Sequence, residues 1–217
     1  FTGWIIAMLA RVQADAIAYR AFFRSALNGL AHLTLPLAAV SIAVPDLFIR
    51  LLLGARWLEA APAVRWLGFG LAVQPWLFAP TWLLISTGRT RRLITLSGLA
   101  LGVFIVLAVV ARHSGITGMA AAMALATITA SGGALAGSLG QTPALAADIV
   151  AASWRPWVLH TGLAAVLAGT ARLLIGRPLP LILGGLAMAV AVYALVTLGG
   201  WRAARQECRD HFLWRSR

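Results

Sequence analysis

The side chains able to do acid–base or metal chemistry are few in this chain, and its carboxylates avoid the long apolar runs. The six acids lie in the polar stretches between or beside those runs: Asp15, Asp46, Glu59, Asp148, Glu207 and Asp210. The sequence contains no DxD motif, no HExxH motif and no Cys/His cluster with metal-ligand spacing. We therefore predict no catalytic residue, no metal site and no cofactor, and a protein that is not an enzyme.

Four residues inside the apolar runs could couple or gate a movement. His32 is ionisable, and a charge at that depth in a membrane costs about 2.5–3.5 kcal/mol or more. It is interpreted either as a protonation switch or cavity ligand, or as a neutral histidine bonded to a neighbouring helix. Pro36, Pro75 and Pro80 remove helical hydrogen bonds, so each is either a hinge or a static kink.

Arginine is the residue most able to bind an anionic ligand here, since all eighteen lysine-plus-arginine positions are arginine. The planar fork of a guanidinium group can bind a diphosphate. The candidates beside apolar runs are Arg20, Arg24, Arg50 and Arg89. Alternatively, these arginines lie in water and only set the orientation of the chain in a membrane.

The composition indicates a polytopic membrane protein. Hydrophobic residues make up 61% of the chain and charged residues 11%, whereas soluble domains have about 45–50% and about 25%. The net charge of +12 is dispersed between apolar runs and does not cluster on one polar face. We therefore expect no nucleic acid partner. Cys208 is the one cysteine, which excludes a disulfide framework.

Six apolar runs are long enough for membrane helices, because a bilayer core takes about 20 residues at 1.5 Å rise each. The first four form a block over 25–139, and the last two form a pair over 157–200; the six spans are 25–45, 66–87, 93–111, 116–139, 157–175 and 179–200. The remaining segments are the end of an upstream membrane helix at 1–9, a cytoplasmic linker at 10–25, a cytoplasmic connection at 140–156 and a cytoplasmic tail at 201–217. Because Phe1 to Leu9 reads as the end of a helix, we expect a longer protein.

The arginines also predict an orientation. Alternation of six spans places twelve of the eighteen arginines on one side, including the GRTRR turn at 88–92 and the C-terminal tail. Cytoplasmic loops of membrane proteins carry the excess of arginine and lysine. The C-terminus is therefore expected in the cytoplasm.

Four segments in order resemble bacterial polysaccharide and O-antigen flippases, the polysaccharide transporters of the multidrug/oligosaccharidyl-lipid/polysaccharide exporter superfamily. The segments are YRAFFRSAL (19–27), LLLGARWLEAAPAVRWLG (51–68), STGRTRR (86–92) and GITGMAAAMAL (115–125). The second has a leucine-rich turn before Gly54, Trp57, Ala60 and Pro62, which precede a helix. The resemblance covers roughly residues 10–140.

This resemblance implies two lobes of helices around a central cavity, of which the chain would form most of the C-terminal lobe. It implies translocation of undecaprenyl-diphosphate-linked oligosaccharide across the bacterial inner membrane by alternating access, for O-antigen, lipopolysaccharide or exopolysaccharide synthesis. The expected partners are that lipid, membrane lipids and a polysaccharide polymerase or other assembly proteins. The alternatives are a drug/cation antiporter of the same superfamily, or a membrane-embedded polysaccharide-assembly enzyme or scaffold.

Overall fold

The computed structural model describes residues 2–138 and 142–173, together with Ala191. Every regular element in that part of the chain is a helix, which confirms the all-α prediction. The α-helices are α1 (Thr2–Arg11), α2 (Ala16–Ala43), α3 (Pro45–Leu52), α4 (Ala61–Ala72), α5 (Gln74–Ser86), α6 (Thr90–Ala111), α7 (Gly115–Ser138) and α8 (Ala146–Leu173). A 3-10 helix, Ala55–Ala60, precedes α4.

Four helical stretches within the described residues are long and apolar enough to cross a membrane: Ala16–Ala43, Ala55–Ser86, Thr90–Ala111 and Gly115–Ser138. They follow the order of the first four predicted spans, and with the all-helical architecture they identify a polytopic membrane protein. The fifth predicted span, 157–175, falls mostly in α8, which is not among these four. The sixth predicted span, 179–200, and the tail, 201–217, lie outside the described residues, apart from Ala191.

The two longest helices begin earlier than the apolar runs that predicted them. Asp15 caps α2, because its Oδ1 accepts hydrogen bonds from the backbone N–H groups of Ile17 (3.0 Å) and Ala18 (3.1 Å). Helix α2 therefore includes most of the stretch interpreted as a linker at 10–25. Helix α8 likewise includes the second half of the connection at 140–156. Each has 28 residues and is about 42 Å long, so polar turns extend both helices beyond their apolar parts.

The second predicted span consists of separate helices. Helix α4 ends at Ala72, α5 starts at Gln74, and Pro75 stands in the first turn of α5. Proline is well suited to that position, since the first turn of a helix has no intrahelical partner for its N–H groups. Pro36 and Pro80, in contrast, lie inside α2 and α5.

Helix α2 is central in the described bundle and packs against α8 and α4 over long contacts. Helix α4 lies between α2 and α7, and two of its glycines allow these two helices to approach it closely. A Cβ at Gly68 would lie 2.9 Å from Ile42 Cγ1, and one at Gly70 would lie 3.5 Å from the Cα of Ala124 on α7. Small residues allow close approach of helix backbones in membranes, where packing drives association.

Helix α6 lies at the outside of the described bundle. It packs against α7 and α5, and none of its residues is buried. Ile94 is 70% exposed and Val110 is 75% exposed. A helix that is apolar all round and this exposed is typical of a segment surrounded by lipid.

Candidate functional site

A cluster of three charged side chains joins the N-terminal ends of α2 and α8. Arg20 donates from Nε to Asp148 Oδ2 (2.8 Å) and from Nη2 to Asp148 Oδ1 (3.1 Å), which is the bidentate arrangement. Arg24, one turn further along α2, has its Nε 3.6 Å from Asp148 Oδ1. One carboxylate thus faces two guanidinium groups.

The carboxylate of this cluster is buried, whereas its arginines are accessible. The Asp148 side chain is 1% exposed, compared with 35% for Arg20 and 45% for Arg24. Asp148 Oδ2 also accepts a hydrogen bond from the backbone N–H of Leu145 (2.8 Å), just before α8 begins. A carboxylate in the first turn of a helix is stabilised by the helix dipole and by such N–H groups. Asp148 is therefore fixed from both helices.

The next layer of the α2–α8 contact is an amide bonded to a backbone carbonyl. Pro156 lies inside α8 and has no N–H, so it cannot donate to the carbonyl of Ala152 four residues earlier. The side chain of Asn28 on α2 supplies the missing donor, with Nδ2 3.1 Å from the Ala152 oxygen. A neighbouring helix thus satisfies the group that the proline leaves without its helical bond.

The third layer is a pair of histidines. The rings of His32 and His160 meet edge to face, with centroids 5.5 Å apart. His32 Nδ1 is buried and has no hydrogen-bond partner among the described residues. Pro36, which cannot donate to the His32 carbonyl, lies one turn further along α2.

We call these three layers together the polar seam: Arg20, Arg24, Asn28 and His32 of α2 with Asp148, Ala152 and His160 of α8. On each helix the members recur at intervals of four residues or multiples of four, which places them along one face. The contacts Arg20–Asp148, Asn28–Ala152 and His32–His160 ascend together along both helices, so α2 and α8 run parallel.

Helix α5 supports the polar seam from one side. The indole ring of Trp76 stacks on that of Trp157, with centroids 5.2 Å apart and planes 20° apart. Trp76 Nε1 also donates to Ser153 Oγ at 3.1 Å. Near the charged end, the hydroxyls of Tyr19 and Ser86 are hydrogen-bonded at 2.7 Å, which ties α2 to the last turn of α5.

The end of the polar seam at His160 borders an apolar cavity of ≈ 360 Å³. Its wall comes from four helices, with Leu35 from α2, Phe69 from α4, Ile128 from α7 and both Trp157 and His160 from α8. A mostly apolar cavity with a few polar groups is the usual form of a small-molecule site.

The structure separates the four predicted anion-binding arginines. Arg20 and Arg24 converge on Asp148. Arg89 is exposed in the turn before α6, close in sequence to Ser86 and hence at the same end of the bundle as Tyr19. Arg50 is exposed in the last turn of α3, which follows the far end of α2. These four therefore do not form one site.

Sequence reasoning missed three polar side chains of the seam. Asp148 falls within the predicted connection, yet it lies in the first turn of α8 and ion-pairs with α2. Asn28 and His160 carried no local motif. Their partners are more than 120 positions away along the chain, as in the Asn28–Ala152 bond with its separation of 124 residues. The one local signal was the four-residue spacing of the polar residues on α2.

The comparisons with known proteins give one match. Residues 3–62 match a family model described as polysaccharide biosynthesis protein. The matched stretch runs from α1 to the start of α4 and contains the α2 half of the polar seam. No curated protein and no solved structure matches the chain. Over these residues the chain is similar to polysaccharide biosynthesis proteins.

Proposed function

We propose that the protein carrying this chain translocates an undecaprenyl-diphosphate-linked oligosaccharide across the bacterial inner membrane for surface polysaccharide synthesis. The family match supports a role in polysaccharide biosynthesis, and the long apolar helices support a location in the membrane. The protein acts as a transporter and not as an enzyme. Alternating access, with exposure of the site to each side in turn, is the proposed mechanism.

One observation carries the proposal beyond the family match: the bundle holds two guanidinium groups against one carboxylate at one end. Guanidinium groups at the end of a membrane bundle are placed where an anionic lipid head group lies. The two arginines leave an excess of one positive charge beside Asp148. A diphosphate is a compact dianionic group whose oxygens match the guanidinium fork.

Translocation also needs a path on which polar groups can pass between helices. The polar seam continues from the arginines through Asn28 to His32, inside a bundle whose other surfaces are mostly apolar. The break between α4 and α5 at Val73 and the prolines of α2 and α5 are places where the helices can bend. On this proposal Pro36, Pro75 and Pro80 serve as hinges.

The arginine distribution supports an orientation with the charged end of the seam and the C-terminus in the cytoplasm. The lipid-linked sugar would then meet Arg20 and Arg24 in the cytoplasmic leaflet. Membrane lipids cover the outer face of α6, whose large apolar residues are exposed. A polysaccharide polymerase or another assembly protein is the proposed partner on the far side.

The test uses the full-length protein in proteoliposomes that contain an undecaprenyl-diphosphate oligosaccharide labelled with a dithionite-quenchable fluorophore. Translocation makes inner-leaflet label accessible to external dithionite. We expect a faster loss of the protected fluorescence than in protein-free vesicles. A rate equal to that of empty vesicles, or export of a cationic dye in place of the lipid, would contradict the proposal and favour the antiporter alternative.

A further inference from the structure

Asp148 is a member of the polar seam to which the proposed function assigns no role. Its side chain is 1% exposed, and both its oxygens are used, Oδ1 by Arg20 Nη2 and Oδ2 by Arg20 Nε and the Leu145 N–H. A buried carboxylate that is removed from water gains no net stability from pairing alone in many proteins. Stability alone therefore does not explain why a carboxylate occupies this buried position.

The geometry around Asp148 orients both arginines outward. Arg20 uses its Nε–Nη2 edge for the carboxylate, which leaves its Nη1 side directed away from Asp148. Arg24 approaches through Nε alone at 3.6 Å and is 45% exposed. Without the carboxylate between them, two guanidinium groups one helical turn apart on α2 would repel each other and separate.

We infer that Asp148 is a positioning residue that holds Arg20 and Arg24 together as a two-arginine seat for a diphosphate group. The inference rests on the proposed function, since it assigns the diphosphate of the lipid to this seat. Asp148 does not touch the ligand. It acts from α8 on two side chains of α2, so the seat exists only when the two helices are packed together.

A positioning role and a purely electrostatic role of Asp148 predict opposite changes in diphosphate affinity for the substitution Asp148→Asn. If Asp148 only repels or competes with an anion, Asp148→Asn removes a negative charge and strengthens diphosphate binding. If Asp148 positions the arginines, Asp148→Asn weakens binding, because the amide cannot hold two guanidinium groups. A variant that is merely less stable would lose binding of every ligand alike.

The experiment measures equilibrium binding of farnesyl diphosphate and of farnesol to the full-length protein in nanodiscs. We expect the wild-type protein to prefer the diphosphate, and Asp148→Asn to lose about tenfold in diphosphate affinity, the equivalent of one charge-assisted hydrogen bond. Farnesol affinity should stay unchanged, and Asp148→Glu should restore part of the diphosphate affinity. Equal or tighter diphosphate binding by Asp148→Asn would overturn the inference.

Arg24→Gln keeps the test decisive if Asp148→Asn does not fold. It leaves the short Arg20–Asp148 pair in place and removes one cation of the seat. We expect a loss of about tenfold in diphosphate affinity here too, and none for Arg112→Gln, an exposed arginine after α6. Unchanged binding by Arg24→Gln would also overturn the inference. Failure of the inference can be told from failure of the proposed function. In the second case the wild-type protein itself would not translocate the labelled lipid.

Discussion

The carbonyl of Ala152 shows how single residues of the seam depend on one another. Pro156 deprives that carbonyl of its helical donor, and Asn28 on the facing helix replaces the donor at 3.1 Å. Neither residue is informative alone, since an asparagine and a proline in membrane helices each have several common roles. Together they form a matched pair across the α2–α8 contact.

We expect Asn28→Ala to lower the free energy of unfolding by about 1–3 kcal/mol, because it leaves a buried carbonyl without a donor. Pro156→Ala restores an N–H that can donate to Ala152 within α8. In that background Asn28→Ala should cost clearly less. Unfolding of the four proteins in a mixed-detergent titration gives the coupling energy. Additive effects of the two substitutions would show that the pair is not matched.

The histidine pair gives a second prediction at this scale. We expect His32→Ala to slow translocation of the labelled lipid severalfold at an unchanged protein level, since it removes a polar ring that contacts His160 in the seam. His113→Ala is the matched control, because His113 is exposed in the turn between α6 and α7. Transport by His32→Ala equal to that of the control would make His32 a neutral packing residue.

At the scale of helices, the close contact of α4 with α2 depends on the absence of a side chain at Gly68. A Cβ there would meet Ile42 Cγ1 at 2.9 Å, Ser41 Cβ at 3.0 Å and the Ile42 backbone nitrogen at 3.3 Å. The side-chain atoms could move, but the backbone nitrogen belongs to α2 itself. The separation of the two helix axes is therefore set by this glycine.

We expect Gly68→Ala to destabilise the protein by about 1–3 kcal/mol through overpacking. Gly98→Ala in α6 is the matched control, since no atom lies within 4 Å of a Cβ at that position. Alanine should there be neutral or stabilising by up to about 1 kcal/mol, because it restricts the unfolded chain. Thermal unfolding in one detergent compares the two variants. Equal effects would contradict the close α2–α4 packing.

At the scale of the whole molecule, the parallel arrangement of α2 and α8 makes the orientation testable. We expect both helices to cross in the same direction, and α6, which comes between them along the chain, to connect the two faces. The GRTRR turn and the turn after α6 then lie on opposite sides of the membrane. Thr90 and Ser114 are exposed at these two ends.

Single cysteines report the orientation of α6 directly in a full-length protein whose other cysteines, Cys208 included, are replaced by serine. We expect a membrane-impermeant maleimide to label Ser114→Cys in intact cells and Thr90→Cys only after permeabilisation, since cytoplasmic loops of membrane proteins carry the excess of arginine. Restored Cys208 should behave like Thr90→Cys. The reverse pattern would invert the orientation, and labelling of both positions from outside would remove α6 from the membrane.

The amino-acid sequence by itself determined the membrane class, the all-helical architecture and the order of the first four spans. Hydropathy over about 20 residues is a local property, because each helix satisfies its own backbone in lipid whatever its neighbours are. It did not predict that α2 and α8 continue into polar turns, since arginine and aspartate at a helix end lower hydropathy without ending the helix.

Only the tertiary structure decided which polar residues meet. Arg20 and Arg24 were among four arginines that the sequence could not rank, and Asp148 was assigned to a connecting segment. The packing of α2 against α8 brings them together across about 125 residues of chain. Such a pairing depends on which helices are neighbours and in which register they pack. Both are set by how residues fit across the bundle, as at Gly68, where the lack of a side chain lets α4 approach α2, and no local pattern along the chain records them.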